Sequence, residues 1–213
     1  MSKECEELHK IFNNMKRLSF PFDNKDITKN GIYVLFEKGE KAHGEDRIVR
    51  IGTHTGNNQL LSRLNQHFIN ENKDRSIFRK NIGRAILNKR KDLFLKEWEF
   101  DLTTKEAKNK LLNLIDMKKQ KKVEKEVTEY IQNNFSFIVF PLEDRKKRLE
   151  VESMIISTVS SCRDCKPSEN WLGLFSPKEK IRKGGLWLVN ELYKQPMNEK
   201  DLIELKEIIK NEK

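Results

Sequence analysis

Apolar side chains at Leu8, Ile11, Phe12 and Met15 recur three and four residues apart. That is the spacing of one helix face, and it predicts an amphipathic helix over residues 3–17. Pro21 ends the pattern. The run Ile32–Phe36 and the run RIVRIG, with Ile48, Val49 and Ile51, are blocks of β-forming residues separated by the polar stretch EKGEKAHGED. They predict an antiparallel hairpin with a long loop. Leu60, Leu61, Leu64 and Phe68 form a second helical stripe, with Asn57 or Asn58 as its N-cap. RSIFRKNIGRAIL predicts a further helix with Gly83 inside it, and residues 88–134, rich in Lys, Glu and Asn, read as a helical insertion. FSFIVF (Phe135–Phe140) mixes aromatic and β-branched residues and is the third strand. DRKKRLEVESMIISTVSS has a helical pattern. Pro167 and Pro177 bracket a loop containing SENWLG, and GGLWLV reads as a short strand. NEKDLIELKEIIK reads as a last amphipathic helix, capped by Asn198 with Asp201 three residues on.

No internal repeat or low-complexity linker divides the chain. Residues 1–213 therefore read as one domain, with the insertion at 88–134 and a C-terminal extension at 162–213. Composition narrows the partners. Charged and hydrophobic residues each make up 36%, against roughly 25% and 45–50% in ordinary globular domains, so the core is thin. Forty-three basic residues face 33 acidic ones, a net charge of +10. That surplus favours a polyanionic partner, nucleic acid before an anionic membrane surface. No run of about 18 apolar residues is present to cross a bilayer, and no helix pairs a strongly basic with a strongly apolar face to lie on one. MSKECEELHK lacks the apolar run of a signal peptide. Three cysteines are too few for a disulfide scaffold and fit a reducing cytoplasm.

Two helices carry candidate chemistry. Arg63 and His67 lie four apart on the shoulder of the 60–68 stripe. They suit either a phosphate-binding cleft or a snorkelling arginine and a satisfied histidine. Glu152 falls inside the apolar stripe of Val151, Ile155, Ile156 and Val159, whereas Glu150 faces the other way. A carboxylate so placed needs a cation, a metal or a proton, or else a structural ion pair. CRDC at 162–165 is a lone C-x-x-C with no second pair, short of the four ligands that zinc takes. Lys118–Lys122 (KKQKK) is either a solvated helix face or a DNA contact, and no P-loop or H-E-x-x-H motif is present.

GIY at 31–33, RIG at 50–52, Arg63 and His67 on the next helix, and Glu152 on the helix after the third strand occur in that order. This set resembles the GIY-YIG nuclease superfamily, and VRIGTH followed by LLSRLNQHF looks most like its standalone bacterial and restriction-type members. The resemblance implies an α+β fold: a small central antiparallel sheet of three strands, the two motif strands paired, flanked by helices. It implies Tyr33 as general base or water orienter, Arg63 on the cleaved phosphate, His67 near the attacking water, and Glu152 holding Mg²⁺ or Mn²⁺. Asn170 is similar to a later asparagine of the family. Arg50 stands where the family has the tyrosine of YIG, and its charge would favour the Tyr33 phenolate. Trp171, like Trp98 and Trp187, reads as a core or loop anchor, or else stacks a base beside Asn170, and His54, Lys118 and Lys119 would contact DNA.

The expected function is thus a divalent-metal-dependent endonuclease acting on double-stranded DNA, with His67 as the alternative base. A homodimer is compatible with it, since cutting a palindrome needs two active sites. A non-catalytic nucleic-acid-binding module that keeps the fold is the rival, motivated by the missing tyrosine.

Overall fold

A computed structural model describes residues 3–210. Its elements, in chain order, are α1 (Lys3–Asn13), β1 (Leu18–Ser19), β2 (Gly31–Ala42), β3 (Glu45–Gly52), α2 (Leu60–Phe68), α3 (Ile77–Lys89), α4 (Leu95–Trp98), α5 (Lys105–Leu111), α6 (Met117–Asn134), β4 (Phe135–Pro141), α7 (Arg145–Ser161), α8 (Glu179–Gly184) and α9 (Glu199–Lys210). The sheet is antiparallel in the order β1-β4-β2-β3. It has one strand more than expected, because the two-residue β1 pairs Leu18 with Phe137. The fold is α+β, as the resemblance implies.

Both sheet faces are covered, which is why the motif strands are apolar without alternation. Tyr33, Leu35, Val49 and Phe137 point into a core with α2, α3 and α6. Ile32, Val34, Ile51 and Phe140 point into a second core with α1, α7 and α9. A register shift between Leu35 and Phe36 pairs Leu35 with Arg50 and Phe36 with Ile48. This bulge leaves Val49 unpaired and puts it on the same face as Arg50.

The expected long loop of the hairpin is instead more strand. β2 runs on to Ala42, and only His43 and Gly44, at φ 55° and 81°, make the turn. That is a two-residue turn whose residues both have positive φ, the type that matches strand twist. The polar letters of EKGEKA misled because Glu37 and Glu40 are buried. The expected strand GGLWLV is also absent. Trp187 N–H bonds to Val49 O at 2.8 Å, but the Trp187 carbonyl, which a ladder would use, accepts from Arg50 Nη1 at 2.6 Å. Helix α1 stops short of residue 17 because Asn13 turns its amide onto His9 O and Asp46 O. Asn57 and Asn58 do not cap α2; both accept from Asn30 Nδ2, and Gln59 stands at the cap without a side-chain bond. The capping box at α9 forms as expected: Asn198 Oδ1 accepts from Asp201 N–H and Asp201 Oδ2 from Asn198 N–H.

Gly83 faces the indole of Trp98, which lies where a Cβ would be and donates Nε1–H to Lys80 O at 3.0 Å. Buried ion pairs brace the sheet and the helices over it. Arg47 on β3 grips Glu40 on β2 through Nε and Nη2 at 3.0 and 2.6 Å, and Ser168 of the loop after α7 donates to the same carboxylate. Arg79 on α3 grips Glu124 on α6 at 2.8 Å.

Candidate active site

The end of β3 and the two helices that flank it build the site. Register pairs Tyr33 with Gly52, so the Tyr33 ring lies across the next strand, and any Cβ at position 52 would collide with its hydroxyl. The third letter of the RIG motif is thus set by the tyrosine of the GIY motif. Arg50, opposite Leu35 on the same face, donates Nε–H to the Tyr33 oxygen at 3.3 Å. Tyr33 in turn meets His67 Nε2 at 2.8 Å. The other ring nitrogen, Nδ1, meets Ser76 Oγ at 2.7 Å, and that hydroxyl also N-caps α3 by accepting from Arg79 N–H. With Arg50 donating to its oxygen, the phenol is left to give its proton to Nε2, and Nδ1–H then points to Ser76. His67 is fully buried, and burial, then the positive fields of Arg50, Arg63 and Arg79, hold its pKa well below the usual histidine value. It is therefore neutral at pH 7, with Nε2 as a hydrogen-bond acceptor for the Tyr33 hydroxyl.

Glu152 approaches from α7. Its Oε1 accepts the Thr53 N–H at 3.1 Å, immediately after β3, while Thr53 Oγ1 donates to Gly31 O at 2.7 Å. Burial raises its pKa to about 7, against the opposing influence of Arg50, the Thr53 N–H and Arg63. It forms no ion pair among the described residues, so the structural-pair explanation of a carboxylate in this stripe does not apply. Glu150 is exposed and near Lys147. Arg63 lines a cleft of about 260 Å³ together with Thr53, His54 and Gln59. Its guanidinium is steadied by Gln66 Oε1 and Arg75 O, at 3.1 and 3.2 Å, and is likewise without an ion-pair partner among the described residues. Arg63 thus lines an open cleft and Glu152 bonds to Thr53 in its wall, while Tyr33, Arg50 and His67 are buried.

The other expected contacts separate from this group. Trp171 is buried against Trp187 and Arg47, and it donates Nε1–H to Glu37 at 2.7 Å. With its ring enclosed it has no face for a base, which corrects that expectation. Asn170 is exposed beside it, in the loop held to the Glu37–Glu40 stretch of β2 rather than to Thr53. His54 is buried; Nδ1 bonds to Gly56 O at 2.8 Å and Nε2 accepts from Gly31 N–H at 3.4 Å, so it braces the loop rather than offering a nitrogen to DNA. Lys119 is bonded to Asp92, and Lys118 is exposed at the start of α6. Sequence reasoning missed Thr53, Ser76 and Arg148. Arg148 is buried one turn before Glu152 and donates to Leu142 O, Glu143 O and Gly56 O, fastening the cleft wall. Ser76 alone had a signal, an N-cap residue before IFRK.

A single carboxylate without an ion-pair partner among the described residues suits a hard divalent cation, which keeps most of its waters and takes one or two carboxylates. Among the described residues no helix is long and apolar enough to cross a membrane. No curated protein and no solved structure gives a significant match to the chain. The family model of the GIY-YIG domain, however, matches residues 3–213. The motif residues described above therefore sit in a chain that belongs to the GIY-YIG domain family, a nuclease superfamily.

Proposed function

We propose that the protein is an endonuclease that hydrolyses a phosphodiester of double-stranded DNA with the help of Mg²⁺ or Mn²⁺. The observation that carries this reading is Glu152, a largely buried carboxylate with no ion-pair partner among the described residues, bonded to the N–H of Thr53 in the wall of the cleft that Arg63 also lines. Glu152 would hold the cation. When bound, that ion supplies positive charge to the developing phosphorane and its leaving oxygen. Arg63 binds and orients the scissile phosphate from the other wall of the cleft. Tyr33 and neutral His67 form the proton-accepting pair: a proton taken at the Tyr33 oxygen is matched by transfer of the phenolic proton to His67 Nε2. Arg50 positions Tyr33; its Nε and Nη1 are engaged inside the protein, so it acts through Tyr33 rather than on DNA. The basic surplus supplies the general attraction to duplex DNA.

The full burial of Tyr33 supports a second reading, a DNA-binding module without hydrolysis. One experiment separates them. Supercoiled plasmid is incubated with the full chain and Mg²⁺ or Mn²⁺, beside Glu152→Gln, while duplex affinity is measured on both. Cleavage by the wild type alone with equal affinity supports the nuclease. Binding without cleavage by either supports the second reading, and no binding to any duplex removes both.

A further inference from the structure

A second cluster of ligand-type side chains lies away from the cleft. Cys5 of α1, His43 of the hairpin turn, and Cys162 and Cys165 just beyond α7 converge from three segments. Cys5 Sγ is 3.3 Å from Cys165 Sγ, and His43 Nε2 is 3.3 Å from Cys165 Sγ and 3.5 Å from Cys162 Sγ. A tetrahedral zinc, with Zn–S of about 2.3 Å and Zn–N of about 2.0 Å, needs edges of about 3.8 Å between sulfurs and about 3.6 Å from sulfur to nitrogen. These three edges are shorter than the tetrahedral ones by about 0.1 to 0.5 Å, which a small outward shift of the side chains makes up. All three thiols are buried. Cys162 and Cys165 have the two-residue spacing of zinc knuckles, and the backbone N–H of Asp164 bonds to Cys162.

We propose that Cys5, His43, Cys162 and Cys165 bind one structural Zn²⁺. His9 also lies close, 3.9 Å from Cys165 Sγ, but it is not a ligand. Its Nδ1 bonds to Cys5 O at 2.9 Å and its Nε2 accepts from Ile48 N–H at 3.2 Å, so neither nitrogen has a lone pair to spare. It positions Cys5 and seats α1 on β3. The four ligands close the site, which leaves no open position for substrate or water and marks it as structural. Cys162 lies ten residues beyond Glu152 along α7, about 15 Å at the helical rise, so the ion is separate from any cation at the cleft. Its effect is to staple the first helix to a loop 160 residues away and to fix the hairpin turn between them.

The test is elemental analysis of the full chain purified without chelator, with a count of reactive thiols. One zinc per chain is expected, with three thiols protected until a mercurial displaces the ion. His9→Gln should retain one zinc, whereas Cys162→Ser should retain less than about a tenth. Because Cys162→Ser can fail to fold, wild type is also stripped and titrated with Zn²⁺ alone, and uptake should stop at one equivalent with the thiols again protected. Failure to take up one equivalent, a Cys5–Cys165 disulfide in protein kept under reducing conditions, or full zinc retention by Cys162→Ser would each overturn the site. None of these readouts involves DNA, so the outcome is independent of whether the protein cuts.

Discussion

The two ends of α7 hold opposite kinds of site. At its N-terminal half, Glu152 places a hard oxygen against Thr53 in the wall of the cleft that Arg63 lines, and among the described residues it has no ion-pair partner, at the expense of a raised pKa. At its C-terminal end, three buried sulfurs and a half-buried imidazole are packed together. The difference shows how ligand chemistry follows from exposure. A cation that must meet a phosphate needs a carboxylate with room in front of it, whereas an ion that only braces the chain can be enclosed by soft ligands.

The largest effect expected is at the open end. Glu152→Gln should lower single-turnover plasmid cleavage by about 10²–10³-fold with zinc content unchanged, while Glu150→Gln, facing solvent, stays within about twofold of wild type. Loss of activity in Glu150→Gln with retention in Glu152→Gln would reverse the assignment of the two ends. Next, Arg63→Lys keeps the charge but loses the planar fork, and a fall of about 10²-fold in the same rate is expected with little change in duplex affinity. An equal fall in affinity would make Arg63 a general DNA contact. A smaller effect is one of pH. Glu152 must be ionised to hold a cation, so at low Mg²⁺ the rate should fall about tenfold per pH unit below about 7. Saturating Mg²⁺ should move that midpoint to lower pH, because the cation competes with the proton. A midpoint indifferent to Mg²⁺ would assign the titration to another group.

The smallest effect concerns stability. With its folded pKa raised above the unfolded value, Glu152 contributes stability that is present below about pH 4.5 and lost as pH rises through about 7. In metal-free protein, Glu152→Gln should therefore be more stable than wild type at pH 8, by on the order of 1–3 kcal/mol. The gain should vanish near pH 4, as read from denaturant midpoints at the two pH values. Equal stability at both would mean that the carboxylate is better solvated than its place on α7 implies.

The sequence made the open end readable and the closed end nearly invisible. Arg63, His67 and Glu152 lie on stripes with helical periodicity, so their facing followed from spacing, and the apolar strands stood out because both sheet faces are buried. The Cys and His cluster gave only one C-x-x-C, because its other ligands arrive from α1 and a turn that the polar run EKGEKAHGED concealed. The same run hid Glu37, Glu40 and Arg47, which look like surface residues and are buried because their partners lie elsewhere in the fold. Trp171 and Trp187 failed as DNA or strand signals for the same reason: the acceptor of their indole N–H groups is on β2.

That acceptor has a consequence for how the protein is made. Glu37 accepts from Tyr130, Trp171 and Trp187, which follow it by 93, 134 and 150 residues. During synthesis at about 5–20 residues per second, β2 leaves the ribosome several seconds before its buried carboxylate has any of these donors. Until then the hairpin cannot close over an ionised side chain without a large desolvation cost. Closing the strands earlier requires Glu37 to be buried protonated or without its donors, so nascent chains arrested before residue 187 emerges should be more open to protease along β2 than released chains.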